Sequence, residues 1–176
     1  MVTQEYYVGI DPSASSTGVS IISSDGSKEV FTIQPGGLRG AERLLFISSR
    51  LLSGILGKRV ACCFIESPAY DAIHKEFILG EVLGCIKLTL IQAGVTNIKD
   101  ATPTQVKKFM AGSGRATKDE VSVAAVLDGC PDSQTDITDS WSLARIAQAV
   151  HTNKCPGAKR ASIEVISALT KVAKTK

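Results

Sequence analysis

Between Tyr6 and Ile33 three short apolar runs follow one another, each closed off by turn residues. Beyond Pro35-Gly36-Gly37 the spacing of apolar positions changes from strand-like to helical. A chain that opens this way is committed to a small antiparallel sheet onto which later elements must pack. Tyr6-Tyr7-Val8-Gly9-Ile10 reads as a strand running into Asp11-Pro12. The polar turn Ser13-Ala14-Ser15-Ser16-Thr17 leads to a second run, Gly18-Val19-Ser20-Ile21-Ile22. Ser24-Asp25-Gly26-Ser27 is a hairpin signal, and Glu29-Val30-Phe31-Thr32-Ile33 returns as a third strand. The pattern predicts a three-stranded antiparallel meander.

Leu38, Ala41, Leu45, Ser48/Ser49 and Leu52 recur at helical spacing and predict a helix over about 40–56. Val60-Ala61-Cys62-Cys63-Phe64-Ile65 is nearly continuous in apolar character, the mark of a strand covered on both faces, and it ends in Glu66-Ser67-Pro68. Residues 71–92 read as a long helix, and Thr96 to Ala101 as a short strand. Thr102-Pro103 places a cap and an N1 proline before a helix over Thr104 to Met110. Thr117-Lys118-Asp119-Glu120 fits a capping box opening a helix to about Leu127. Ile137 to Val150 and about Ala161 to Ala173 are the remaining helical stretches. The order β-β-β-α-β-α-β-α-α-α predicts an α/β, ribonuclease H-like mixed five-stranded sheet. It combines an antiparallel three-strand meander with parallel strands, and helices cover both faces.

Composition narrows the classes. With 176 residues, 44% of them hydrophobic and only 5% aromatic, the chain fits one domain with an aliphatic core. No apolar run reaches the roughly 18 residues of a membrane span, and Met1 to Glu5 lacks the basic and apolar regions of a secretory signal. Cys62, Cys63, Cys85, Cys130 and Cys155 are odd in number and show no C-x-x-C spacing. That pattern favours reduced, buried thiols in a cytoplasm over a disulfide framework, a zinc site or a cysteine nucleophile. The net charge of +3 is unevenly placed: residues 154–176 carry six basic residues against Glu164, which leaves −2 for residues 1–153. The expected division is a domain over 1–153 and a basic C-terminal segment over 154–176, a short helix of the same domain able to lie on phosphates.

Four acids fall at element ends. Asp11 ends the first strand and Glu66 the fourth, while Asp136 and Asp139 open the helix after the last long loop. An i, i+3 pair shares a helix face, and ligands of open α/β sheets bind beyond the carboxyl ends of strands. Four converging carboxylates repel one another unless divalent cations offset the charge. Oxygen donors without His or Cys favour Mg²⁺, with Mn²⁺ as a substitute, and a pair of ions suits phosphodiester hydrolysis. Taken singly, an Asp before Pro is equally a turn residue, and Asp136 is equally an N-cap.

The motifs resemble those of the RuvC-like Holliday junction resolvases. Gly9-Ile10-Asp11-Pro12-Ser13…Thr17-Gly18 is similar to the family's opening G-[IL]-D-P-G-x-x-x-T-G, and Phe64-Ile65-Glu66 to its second motif. Gly112-Ser113-Gly114-Arg115-Ala116-Thr117-Lys118 resembles G-x-G-x-A-x-K, and Asp136-Ile137-Thr138-Asp139 the closing D-x-x-D. The resemblance implies a homodimeric, Mg²⁺-dependent endonuclease making paired nicks in four-way DNA junctions. Asp11, Glu66, Asp136 and Asp139 would be the metal ligands, and Lys118 a basic residue at the scissile phosphate. Ser13 replaces the usual Gly, Tyr70 is the candidate aromatic wedge one place late, and a second lysine after Lys118 has no match before Cys130. These departures imply a divergent or phage-type member with broader branched-DNA activity, working in the cytoplasm of a prokaryotic cell or phage-infected host.

DNA contacts are expected from Tyr70, Lys107, Lys108, Arg115, Lys118, Lys154, Lys159 and Arg160, with the lysines and arginines flanking the metal site. The helix over 71–92, with Gly80, Gly84, Ile78, Leu79, Val82 and Leu83, is the expected dimer face. The rival readings are a RuvX-like RNA-processing nuclease and a non-catalytic nucleic-acid-binding relative. Against the second, a pure binder gains only repulsion from four acids facing phosphates.

Overall fold

The computed structural model describes residues 4–67, 73–155 and 160–172, of which 73–76 and 172 are described by backbone alone. The strands are β1 (Tyr6–Asp11), β2 (Thr17–Ser23), β3 (Lys28–Ile33), β4 (Val60–Glu66) and β5 (Ile98–Ala101). The helices are α1 (Gly40–Ile55), α2 (Ile73–Gln92), α3 (Pro103–Ala111), α4 (Lys118–Leu127), α5 (Thr135–Thr152) and α6 (Arg160–Val172). The strands form one sheet in the order β3-β2-β1-β4-β5. β1–β2 and β2–β3 pair antiparallel, while β4 pairs parallel to β1 and to β5. The meander, the parallel half and the element order match the expected ribonuclease H-like arrangement.

Strand parity sorts the side chains into two cores. Val8, Ile10, Val19, Ile21, Cys63 and Ile65 point to one face, where Ile47, Leu51 and Ile55 of α1 and Val82, Ile86 and Leu90 of α2 cover them. Tyr7, Ile22, Cys62 and Phe64 point to the other, against α5 and the helices around it, with Trp141, Leu143 and Ala147 buried there. Asp11 and Glu66 continue the parity of Tyr7 and Phe64, so both carboxylates emerge on the α5 side of the sheet. α5 packs along β1, β2 and β4, and α3, α4 and α6 surround it.

The local starts follow from capping chemistry. Thr102 with Gln105, and Thr117 with Glu120, each form a complete capping box, and Pro103 occupies the first turn of α3. α5 begins differently: Gln134 is its N-cap and makes no side-chain cap bond. Asp136 therefore lies inside the first turn and is not a cap, which resolves the alternative left open by its spacing. β5 starts at Ile98 rather than Thr96. The thiols of Cys62 and Cys63 are fully buried and burial pushes both up, that of Cys62 to about 11, so both behave as small apolar side chains. Among the described residues, no helix is long and apolar enough to cross a membrane.

Candidate active site

β1 and β4 run parallel as neighbours, so their carboxyl ends deliver Asp11 and Glu66 to one edge of the sheet. The first turns of α5 bring Asp136 and Asp139 to the same place. Three of the four acids, Asp11, Glu66 and Asp139, are raised above the ordinary carboxylate range. Burial pushes the Asp11 carboxyl up to about 8, helped by the negative charges of Glu66, Asp139 and Asp136 and opposed by Lys118. Burial pushes Glu66 up to about 7, and Asp139 adds to it. Lys118, a hydrogen bond from Asp11 and Lys107 pull Glu66 the other way. Asp139 is also raised by burial, with Lys118 and Lys107 opposing and Asp136 reinforcing.

Burial and neighbouring negative charge disfavour the ionised forms of Asp11, Glu66 and Asp139, and compensation by cations is the chemistry such a set invites. The donors are all oxygens, which suits a hard divalent ion. Among the described residues no three acidic, His or Cys side chains are drawn close enough to enclose an ion.

Lys118 is exposed at the start of α4, where the Thr117 capping box fixes its backbone. Lys107, half-buried on α3, is the second cation whose field reaches the acids. Arg115 is exposed in the loop before α4, beside a shallow groove between that loop and α4.

The other expected DNA contacts are not gathered here. Lys108 Nζ lies 2.8 Å from Glu164 of α6, and Arg160 Nε lies 3.2 Å from the same carboxylate, so this pair faces α6. Lys154 departs furthest from expectation. It follows the C-terminal end of α5, beside Tyr7 and Ser24, about 20 Å along the helix axis from Asp139 at 1.5 Å per residue. Proximity in sequence to the acidic pair misled because α5 carries the chain away from the site. Tyr70 and Lys159 lie outside the described residues.

One arrangement escaped the sequence reading. Trp141 Nε1 donates to Asp128 Oδ2 at 3.0 Å, and Arg145 grips the same carboxylate in a fork, with Nε at 2.7 Å and Nη2 at 3.0 Å. This clamp ties the end of α4 to the middle of α5, fixing the helix of Lys118 against the helix of Asp136 and Asp139. Trp141 and Arg145 stand i, i+4 on one helix, a spacing that signals a shared face but not the partner at Asp128.

The family model of the crossover junction endodeoxyribonuclease RuvC matches residues 7–147. The RuvC of Anaeromyxobacter sp. (strain Fw109-5) is 31% identical over 144 residues, covering 78% of this chain and 69% of that protein. The RuvC of Caldicellulosiruptor saccharolyticus is 35% identical over 121 residues, covering 65% and 72% respectively. Among solved structures, T. thermophilus RuvC in complex with a Holliday junction substrate superposes with a TM-score of 0.69 at 22% identity, over 84% of this chain and 94% of that one. The chain belongs to the RuvC family. α6 lies beyond the matched segment.

Proposed function

We propose, with RuvC family membership as the premise, that this chain is an endodeoxyribonuclease resolving four-way DNA junctions by paired phosphodiester hydrolysis at the Asp11–Glu66–Asp136–Asp139 site. The observation that carries the reading is the convergence of acids from three separate elements on the buried Asp11 carboxyl, whose charge Glu66, Asp139 and Asp136 oppose, with two lysines at the margin. Two Mg²⁺ ions, replaceable by Mn²⁺, supply charge compensation and an activated water when bound. The four carboxylates would hold them, Lys118 would meet the scissile phosphate, and Lys107 would draw the backbone toward the acids. The junction-bound state of the Thermus relative supports the substrate class, and Tyr70 is proposed as the wedge at the branch point.

The enzyme acts as a homodimer, because paired nicks in a two-fold junction need two sites related by that symmetry. The outer face of α2 supports this. Phe77 is 75% exposed, Leu88 56% and Ile91 62%, and they share a stripe with Gly80 and Gly84, beside which space is open. Val82, named earlier for this interface, is fully buried in its own core and takes no part, while Leu83 packs at the core's margin. α6 is held to the core around α5 through Val165, Ile166 and Leu169, which supports reading it as part of the same domain.

Cleavage of a four-way junction, a linear duplex and a structured RNA under Mg²⁺ tests the assignment. Paired cuts in the junction, little in the duplex and none in the RNA are expected. Preferential RNA cleavage supports the RuvX-like alternative instead. Sedimentation showing only monomer at micromolar concentration, with and without junction, overturns the dimer.

A further inference from the structure

We infer that Gly18, with Gly9 and Ser20, forms a seat that sets the distance of Asp136 and Asp139 from the sheet, so that these residues act as positioning residues for the acidic site. The inference rests on the functional reading above and adds to it residues that hold no ion and touch no substrate.

The seat is visible in register and in absence. Asp11 pairs across the β1–β2 ladder with Gly18, and Gly9 pairs with Ser20, all on the face that α5 covers. A Cβ on Gly18 would stand 2.0 Å from the carbonyl oxygen of Asp136. A Cβ on Gly9 would stand 2.1 Å from the carbonyl oxygen of Ser140 and 2.2 Å from the amide nitrogen of Ala144. In both places the opposing atoms are helix backbone, which cannot rotate aside as a side chain would. α5 thus lies directly on the strands, with its first acid resting on the cross-strand partner of Asp11.

Hydroxyl groups fill the remaining gap. Ser20 Oγ and Ser140 Oγ are 2.8 Å apart, and Ser140 Oγ donates to the Ile137 carbonyl at 3.0 Å. Both serines are fully buried, so the bridge is shielded from competing water. The strand acid and the helix acids therefore share one rigid joint. Both glycines show φ outside the left-handed region, so close approach rather than backbone conformation is what requires them.

Substitution of Gly18 by Ala would lift the first turn of α5 by about 1 Å, a misplacement that costs on the order of 100-fold in a positioned reaction. The test compares G18A, G9A and S20A with the parent. Mn²⁺ affinity is read by electron paramagnetic resonance in the absence of DNA, junction affinity by gel shift, and unfolding by urea. G18A should bind Mn²⁺ about tenfold more weakly and cleave about 100-fold more slowly, with junction affinity within about threefold of the parent. G9A, which lifts the helix one turn further from the acids, should weaken Mn²⁺ binding less than G18A. S20A adds no atom, keeps the fold and should weaken Mn²⁺ binding about threefold.

A folded G18A with parental Mn²⁺ affinity overturns the seat. Should G18A fail to fold, parental Mn²⁺ binding by S20A overturns it equally, since the contact would then serve stability alone. A parent that binds no Mn²⁺ overturns the functional reading and the seat with it, an outcome separate from failure of the variants only.

Discussion

The two faces of the sheet come from the same five strands yet are built on different chemistry. The face toward α1 and α2 is mainly aliphatic: Val8, Ile10, Val19, Ile21 and Ile65 meet Ile47, Leu51, Ile86 and Leu90, all within 1% of complete burial. The face toward α5 gives up side chains at Gly9 and Gly18, buries the hydroxyls of Ser20 and Ser140, and ends in the acids. Burial on the first face supplies hydrophobic free energy without specificity. On the second it keeps carboxylates in a state that destabilises the bare protein, which the aliphatic face must offset. The comparison teaches that the sheet divides stability and chemistry between its sides, alternating residue by residue along each strand.

Substitutions on the two faces should separate these properties. The largest effect is expected from Asp139→Asn: cleavage of a four-way junction with Mg²⁺ should fall by roughly 10³-fold or more, as when one member of an acting unit is removed. Junction binding by gel shift should persist or tighten as carboxylate–phosphate repulsion falls. Near-normal cleavage would take Asp139 out of the site. Leu51→Ala should do the reverse, losing about 3 kcal/mol in urea unfolding through transfer and cavity costs while leaving the cleavage rate per folded molecule near the parental value. A large loss of rate with little loss of stability would break the division between the faces.

The acidic face should also announce itself in pH. Burial pushes the Asp11 carboxyl up to about 8 and that of Glu66 up to about 7 in the folded protein, above the ordinary carboxylate range of the unfolded chain. The folded state therefore binds more protons between those limits. The resulting stability is complete below about pH 4 and is lost as pH rises through 7 to 8. In metal-free buffer the Tm should fall from pH 5.5 to pH 8.5. Asp11→Asn should flatten that fall and raise Tm at pH 8, and Mg²⁺ should oppose it in the parent alone. A parental Tm that rises over this range would contradict the burial of these carboxyls.

The smallest effect concerns DNA at the margin of the acids. Lys107→Gln should reduce the slope of log K against log salt by about 0.9 for junction binding, the contribution of one phosphate contact. Lys154→Gln, at the far end of α5, should leave it unchanged. Lys108→Gln should fall between, because Glu164 already engages that ammonium. An equal effect of Lys107 and Lys154 would place the DNA path along the whole helix rather than across its acidic end.

The sequence by itself determined the order of elements, the mixed sheet and the parity that sends Asp11 and Glu66 to one side. These follow from local periodicity, turn residues and the single-residue alternation of strands. It also determined the capping boxes at Thr102 and Thr117, whose partners lie three residues away. The tertiary structure decided what depends on contacts distant in sequence. It turned Val82 inward and Phe77 outward on one helix, gave Trp141 and Arg145 the carboxylate of Asp128, and carried Lys154 away from the acids that precede it. It also revealed why positions 9 and 18 are glycine, since the backbone filling that space arrives from residues 136–144 and no local pattern along β1 or β2 can encode its approach.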